Sequence, residues 1–292
     1  MQIKDYQECR LCPRDCGVNR LKGEKGVCGE SAECRVASSF AHHGEEPFFS
    51  GRYGSGTIFF SGCASRCFFC QNADVSLEHH GVLVSAEDLH RMAVHLIQQK
   101  VHNLNFVSPD HFWPHVEALC LRLRKEGHQL PFIYNCSGYS CPEMIVRAAK
   151  TIDVFMPDFK FADADLSQQC MGDRHYPDLA LAALQEMVAA RGFLKPWDVE
   201  GQDTARHGVL VRHLVLPGHV ENSVRVLNLL YENFGEMVPI SLMSQFQPTR
   251  RCRERGMLTN SVRREEYLKV LDTVRQYGFT QVYAQPLPRL FG

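Results

Sequence analysis

Cys63, Cys67 and Cys70 stand in the run Gly62-Cys-Ala-Ser-Arg-Cys-Phe-Phe-Cys-Gln71, a C-x3-C-x2-C spacing with no fourth cysteine close behind. Thiolates are the soft ligands that hold iron–sulfur clusters, and a [4Fe-4S] site normally uses four of them. Three on one tight loop leave one iron of such a cubane open to another ligand. Phe69, between the last two cysteines, places a flat ring where a bound heterocycle could pack. The competing reading is three structural thiols or part of a zinc site. Structural zinc is closed and four-coordinate, so it would require a distant fourth ligand.

A second cysteine group lies upstream. Cys9, Cys12, Cys16 and Cys28 are followed by Cys34, in a segment with few large apolar residues and with turn-forming Gly17, Gly23, Gly26 and Gly29. Such a segment cannot rest on a hydrophobic core, and four thiolates around zinc or a second iron–sulfur cluster would fold it. The spacing leaves zinc and cluster open, as it does the alternative of unliganded thiols. Residues 1–50 are therefore expected as a small metal-binding block ahead of a core spanning 51–292.

The 292 residues carry 32 lysines and arginines against 33 aspartates and glutamates, so no broad charge imbalance points to nucleic acid or an anionic membrane. Residues 1–10 are polar and charged, and no apolar run has the length of a membrane span. Thirteen cysteines in such a chain point to metal rather than disulfides, and to a cytoplasmic location.

The elements that must position these residues alternate. Apolar runs at 57–61, 104–107, 132–134, 153–156, 209–215, 239–243 and 280–283 read as strands. Helical periodicity separates most of them: a capping box at Ser85 and Asp88 opens a helix with Leu89, Met92, Ala93, Leu96 and Ile97 on one face. A later helix puts Val116, Leu119, Cys120 and Leu123 on one face, and others span 179–191, 224–231 and 265–277. Repeated βα units predict an α/β fold, a parallel sheet curled into a partial or full TIM-like barrel with its chemistry at the C-terminal strand ends. The polar residues fall there: the cysteine loop, Ser108-Pro-Asp-His111, Asn135-Cys-Ser-Gly138, Pro157-Asp-Phe-Lys160, Arg212-His213 and Ser244-Gln-Phe-Gln-Pro248.

With these motifs in place the chain resembles the radical S-adenosylmethionine (radical SAM) superfamily. Within it the chain is similar to the branch related to the activating enzyme of pyruvate formate-lyase, in a subgroup with an N-terminal cysteine block. The resemblance is carried by C-x2-C-P-R-x-C-x-V-N-R, by H-x-G-E-E-P at 42–47, and by G-S-G-T-I-F-F-S-G-C ending at Cys63. Further along it is carried by F-V-S-P-D-H-F, Y-N-C-S-G-Y, M-P-D-F-K and V-R-H-L-V-L-P-G, so that almost the whole chain is covered.

The resemblance implies a [4Fe-4S] cluster on Cys63, Cys67 and Cys70 whose open iron chelates SAM. Reductive cleavage would give methionine and a 5′-deoxyadenosyl radical that takes hydrogen from a substrate. It places Phe69 against adenine and Lys160, within the Asp158-x-Lys160 motif, near the SAM carboxylate. Asn135 and Ser137 would supply ribose or methionyl hydrogen bonds, and Gln245 a polar group facing the cofactor. The Gly-Gly-Glu that family members use for the SAM amine is replaced here by Ser108-Pro109-Asp110. A flavodoxin or ferredoxin-type electron donor is implied. The substrate stays open: a small molecule, a peptide or RNA, or, for a glycyl-radical activase, a backbone glycine on a partner enzyme. Against the activase reading, the ferredoxin-like cluster insert of many activases is missing. The competing class is a non-catalytic iron–sulfur or zinc scaffold, since a fold alone does not name a reaction.

Other polar residues carry weaker expectations. His42, His43, Glu45 and Glu46 suit either a substrate amine and a lid or a hydrogen-bonded joint between the two blocks. His111, His213 and His219 are expected as satisfied polar residues, and Cys136, Cys141, Phe112 and Trp113 as core. Arg250, Arg251, Arg253 and Arg255 read as a solvated basic face.

Overall fold

Ser55-Gly-Thr-Ile-Phe-Phe60 is rich in β-branched and aromatic residues and forms the strand that leads into the cysteine loop. The computed structural model describes residues 3–286. Ten strands follow one another along the chain. They are β1 (Arg35–His42), β2 (Ser55–Phe60), β3 (Val82–Leu83), β4 (Leu104–Val107), β5 (Phe132–Cys136), β6 (Val154–Pro157), β7 (Gly208–Val209), β8 (Val211–Leu214), β9 (Ile240–Met243) and β10 (Val282–Ala284). Seven of them join in the order β3-β1-β2-β4-β5-β6-β7, and the other three in the order β10-β9-β8.

From β2 to β7 the pairing is parallel, as it is from β8 to β10, and long helices supply the crossovers. The helix Ala86–Gln98 starts at the expected capping box, with Ser85 and Asp88 exchanging hydrogen bonds. Trp113–Lys125 buries Val116, Leu119, Cys120 and Leu123, and Tyr176–Arg191, Val220–Phe234 and Arg264–Tyr277 pack outside the later strands. Among the described residues no helix is long and apolar enough to cross a membrane.

The strand expected at 209–215 is divided. The Leu210 N–H donates to Phe155 of β6, whereas the Val211 N–H turns to Pro239 ahead of β9. A parallel bridge between Asp158 and Arg212 resumes contact with the end of β6, so the two sheets continue as one curved wall. Among the described residues no strand pairing joins β10 back to β2. The barrel is therefore partial, as one of the two expected forms.

Sequence reading missed β1 and β3. β1 pairs antiparallel with both β2 and β3, so residues 35–42 of the segment expected as a separate block are part of the main sheet, one strand in from its edge. Its sequence, Arg-Val-Ala-Ser-Ser-Phe-Ala-His, lacks the apolar alternation that announces a strand. Residues 3–34 form loops and two short 3-10 turns, Ile3–Tyr6 and Arg20–Lys22. The buried Arg20 guanidinium organises them: it donates to the carbonyls of Ser31 and His111 and lies over the rings of Tyr6 and Phe112 at 4.5 and 5.4 Å.

Side-chain alternation sets the barrel interior. Phe48, Phe49, Ile133, Val154, Met156, Leu194 and Leu210 form a dry cluster toward the strand N-termini. At the level of Met156, the register partner of Asn135, the wall mixes apolar and polar groups. Phe59, Val107 and Asn135 are register neighbours on β2, β4 and β5, and Arg212, Ser241 and Tyr283 on β8, β9 and β10.

Candidate active site

The two rows of register neighbours line one cavity of about 540 Å³ at the C-terminal strand ends, which is the size of a small-molecule site. Cys63, Cys67 and Cys70 lie on its wall. The chain reaches them through Gly62, held at φ +78°; a Cβ there would sit 2.7 Å from Glu30 Cγ and 2.8 Å from the Cys28 carbonyl, so only glycine fits. The loop is then fixed at several points. Phe68 N–H donates to the Cys170 carbonyl at 3.1 Å, Cys70 N–H to the Cys67 carbonyl at 3.2 Å, and Ser76 Oγ–H to Cys70 Sγ at 3.2 Å.

Burial pushes the Cys63 and Cys67 thiols upward, and neighbouring thiols add to the effect; the Lys160 ammonium opposes it at Cys67. Such thiols ionise when a metal takes them as ligands. Among the described residues no three histidine, cysteine, aspartate or glutamate side chains converge on a single ion position. A cubane does not need that convergence, because each cysteine binds a different iron. A soft, all-thiol donor set on one loop, facing one cavity, fits a [4Fe-4S] cluster with a corner left to a second ligand.

Most of the residues expected to surround SAM meet at this cavity. Phe69 lines it with its ring locked by Phe68, Phe161 and Phe246. Asn135, Ser108 and Gln245 also line it; Ser108 has a left-handed backbone (φ +54°), and its N–H donates to the Asn135 carbonyl at 2.8 Å. Ser137 lines it too, but its hydroxyl is engaged with that of Ser65 and so ties the cysteine loop to the end of β5. Asp158 and Lys160 face the cavity as an ion pair. Burial alone would lower the Lys160 pKa; Asp158 and the thiols of Cys67 and Cys70 outweigh it and hold the lysine protonated. The Tyr176 hydroxyl accepts from the Lys160 N–H at 2.9 Å and reaches the carbonyls of Ser137 and Asp158. Gly138, at φ +74°, passes so near the Asp158 carbonyl that a Cβ would stand 2.1 Å from it.

Asp110 is a correction. A 3-10 turn, Asp110–Phe112, carries it off the rim, and it does not line the cavity. Its carboxylate accepts from Ser140 Oγ–H at 2.6 Å and from Tyr134, and burial pushes its pKa up.

The N-terminal cysteines form a separate group that does not line the cavity. Cys9, Cys12 and Cys28 are buried, and Cys16 Sγ accepts from the Val27 N–H at 3.3 Å. Burial is the main influence on Cys12 and Cys28, followed for both by neighbouring groups that include Cys9. Among the described residues no three of their side chains converge on a single ion position, and the choice between zinc and a second cluster stays as the spacing leaves it.

Sequence reading did not join Glu45 and Glu46 to Arg212, across more than 160 residues. Arg212 donates Nε–H to Glu46 Oε1 at 2.9 Å and its Nη2 to carboxylate oxygens of both glutamates. The three side chains are 12, 8 and 5% exposed for Arg212, Glu45 and Glu46, and all face the cavity. Both halves of this cluster had a signal, the H-x-G-E-E-P motif and an arginine in an apolar strand, but nothing in the sequence pairs them.

The chain is similar to several known proteins. The curated uncharacterized protein MJ0674 of Methanocaldococcus jannaschii is 26% identical over 286 residues, covering 95% of this chain and 77% of its own. The solved structure of methylornithine synthase (PylB) superposes with a TM-score of 0.53 at 14% identity, over 81% of this chain and 72% of that one. SuiB of Streptococcus suis, solved with S-adenosylmethionine bound, gives 0.47 at 14% identity over 81% of this chain and 47% of its own. The model of the radical SAM superfamily matches residues 57–230, from β2 through the cysteine loop and into the helix Val220–Phe234, and the chain belongs to that superfamily.

Proposed function

We propose that this radical SAM enzyme abstracts hydrogen from a substrate held in the cavity beyond Cys63, Cys67 and Cys70, these three cysteines binding its [4Fe-4S] cluster. The observation that carries the reading is that one cavity holds all three thiols, the Asp158–Lys160 pair and a second polar end around Arg212. The family's cluster and SAM supply reductive cleavage of SAM and, from it, a hydrogen-abstracting radical. The chain supplies the cradle. Phe69 offers a rigid aromatic wall for adenine, Lys160 a fixed ammonium for a carboxylate, and Asn135 and Gln245 amides for hydroxyl and amino groups. Each turnover requires one electron from outside the chain, a task suited to a flavodoxin or ferredoxin.

The test is chromatographic. Anaerobically reconstituted protein with a strong reductant and SAM is expected to form 5′-deoxyadenosine, and Cys67→Ala to lose both product and cluster iron. Cys136→Ala, which removes a cavity-lining thiol outside the triplet, should keep both. A Cys67→Ala protein with full iron content and undiminished product formation would overturn the assignment.

A further inference from the structure

We infer that the end of the cavity around Glu45, Glu46 and Arg212 receives a cationic head group of the substrate, an ammonium or a guanidinium. The inference deepens the proposed function and rests on reading the cysteine end as the SAM end. Arg212 grips Glu46 through two nitrogens, with Nε and Nη2 on the two carboxylate oxygens, and Ser241 adds a further hydrogen bond to that carboxylate. This is the fork geometry of a complete ion pair. Glu45 shares only the Nη2 of the same guanidinium and accepts from Asn105 Nδ2–H at 2.9 Å. Two carboxylates thus face one guanidinium, and Glu45 is the surplus.

A surplus carboxylate at 8% exposure is costly unless a further cation or donor reaches it. Among the described residues none on the cavity wall does, the His42 imidazole included. Lys160 is committed to Asp158, and Arg66, on the cysteine loop, donates to the Val27 carbonyl. A second, independent feature points the same way: Asn105, fully buried beside Glu45, has its Oδ1 without any donor. Reversing the amide would turn its oxygen toward the carboxylate, so the orphan is not removed by a flip. This end of the cavity, with Asn105 buried behind its lining, therefore holds acceptors in excess of donors, and Arg212, already holding two carboxylates, has little left for an anion. The ligand chemistry that satisfies this is positive and donor-rich.

SAM also carries positive charge, so the experiment separates the two sources. The cluster-reconstituted full chain is titrated calorimetrically with n-butylammonium, n-butylguanidinium and neutral n-butanol, each with and without saturating SAM. At least one cation should bind about tenfold or more tightly than the alcohol, the scale of one charge-assisted hydrogen bond, and should do so with SAM present. Glu45→Gln should abolish the preference while melting at or above the parent's temperature, because it removes an uncompensated buried charge. Equal binding of cation and alcohol to the parent would overturn the inference, and that comparison needs no variant. A preference lost when SAM is added would assign the charge to SAM itself. A Glu45→Gln protein that melts well below the parent would make the cluster a structural ion network. Each of these results is independent of 5′-deoxyadenosine formation, so failure here is distinct from failure of the radical SAM reading.

Discussion

Arg14 donates its Nε–H to the carbonyl oxygen of Ala64 at 2.9 Å, binding the N-terminal loops to the peptide that separates Cys63 from Cys67. The same guanidinium reaches the carbonyls of Ser65, Met171 and Gly172 and lies 5.0 Å from the centre of the Tyr139 ring. One planar cation therefore sets the cysteine loop against two other segments. Arg14→Gln is expected to cost about 2 kcal/mol of stability, since several bonds to a charged donor are lost and water replaces some of them. It should also change the electron paramagnetic resonance line shape of the reduced cluster, and Arg14→Lys should restore part of both. Loss of stability with an unchanged spectrum would reduce Arg14 to a packing role.

Lys160 and Asp158 give a test of the same end of the cavity. Their side chains are 17 and 23% exposed, so Lys160→Gln leaves a carboxylate largely removed from water. A cost of about 3 kcal/mol is expected, and the double variant Asp158→Asn/Lys160→Gln should regain most of it. SAM affinity, measured by equilibrium dialysis, should fall about tenfold in both variants, because the ammonium is absent from each. Recovery of SAM affinity in the double variant would show that Lys160 serves only its partner.

What the sequence made legible follows from where its signals are local. Leu104–Val107 was readable to the residue because an apolar run is bounded by polar ones, and the cysteine loop was readable because three ligands lie within eight residues. β1 was hidden by its serines and alanines: its pairing is dictated by β2, a tertiary neighbour, and not by its own pattern. The division of the fifth strand at Leu210 likewise depends on which neighbour each peptide meets. Asp110 stands in the right stretch of sequence for a rim residue, yet one 3-10 turn aims it at Ser140. The Glu45–Glu46–Arg212 cluster was beyond reach, because a charge pair across the barrel has no spacing to betray it.

The N-terminal cysteines lead to a prediction about metal. Cys12 is 7% exposed and packs with the main core. Cys12→Ala should lose about 1 kcal/mol, the scale of trimming a small buried side chain, and stay folded. One zinc per chain, lost together with the fold in Cys12→Ala, would instead make Cys12 a ligand of the zinc site that the spacing suggests.

His213 predicts how stability responds to acid. Its Nδ1 meets the Phe159 carbonyl at 2.6 Å and its Nε2 the Ser223 hydroxyl at 2.8 Å, so the neutral ring donates at one nitrogen and accepts at the other. Burial lowers its pKa from 6.5 to about 4; the nearest charges, Asp158 and Lys160, act in opposite senses. The unfolded chain thus takes up the proton first as pH falls. The stability held by the neutral ring is complete above pH 6.5, drains between 6.5 and about 4, and changes no further below that range. The loss amounts to about 3 kcal/mol. His213→Gln should be less stable than the parent at pH 7, with the difference between them shrinking by about that amount on going to pH 4. Denaturant melts of both proteins at each pH measure the difference directly. A gap that stays constant from pH 7 to 4 would mean that the ring takes up its proton at the same pH in the folded chain as in the unfolded one.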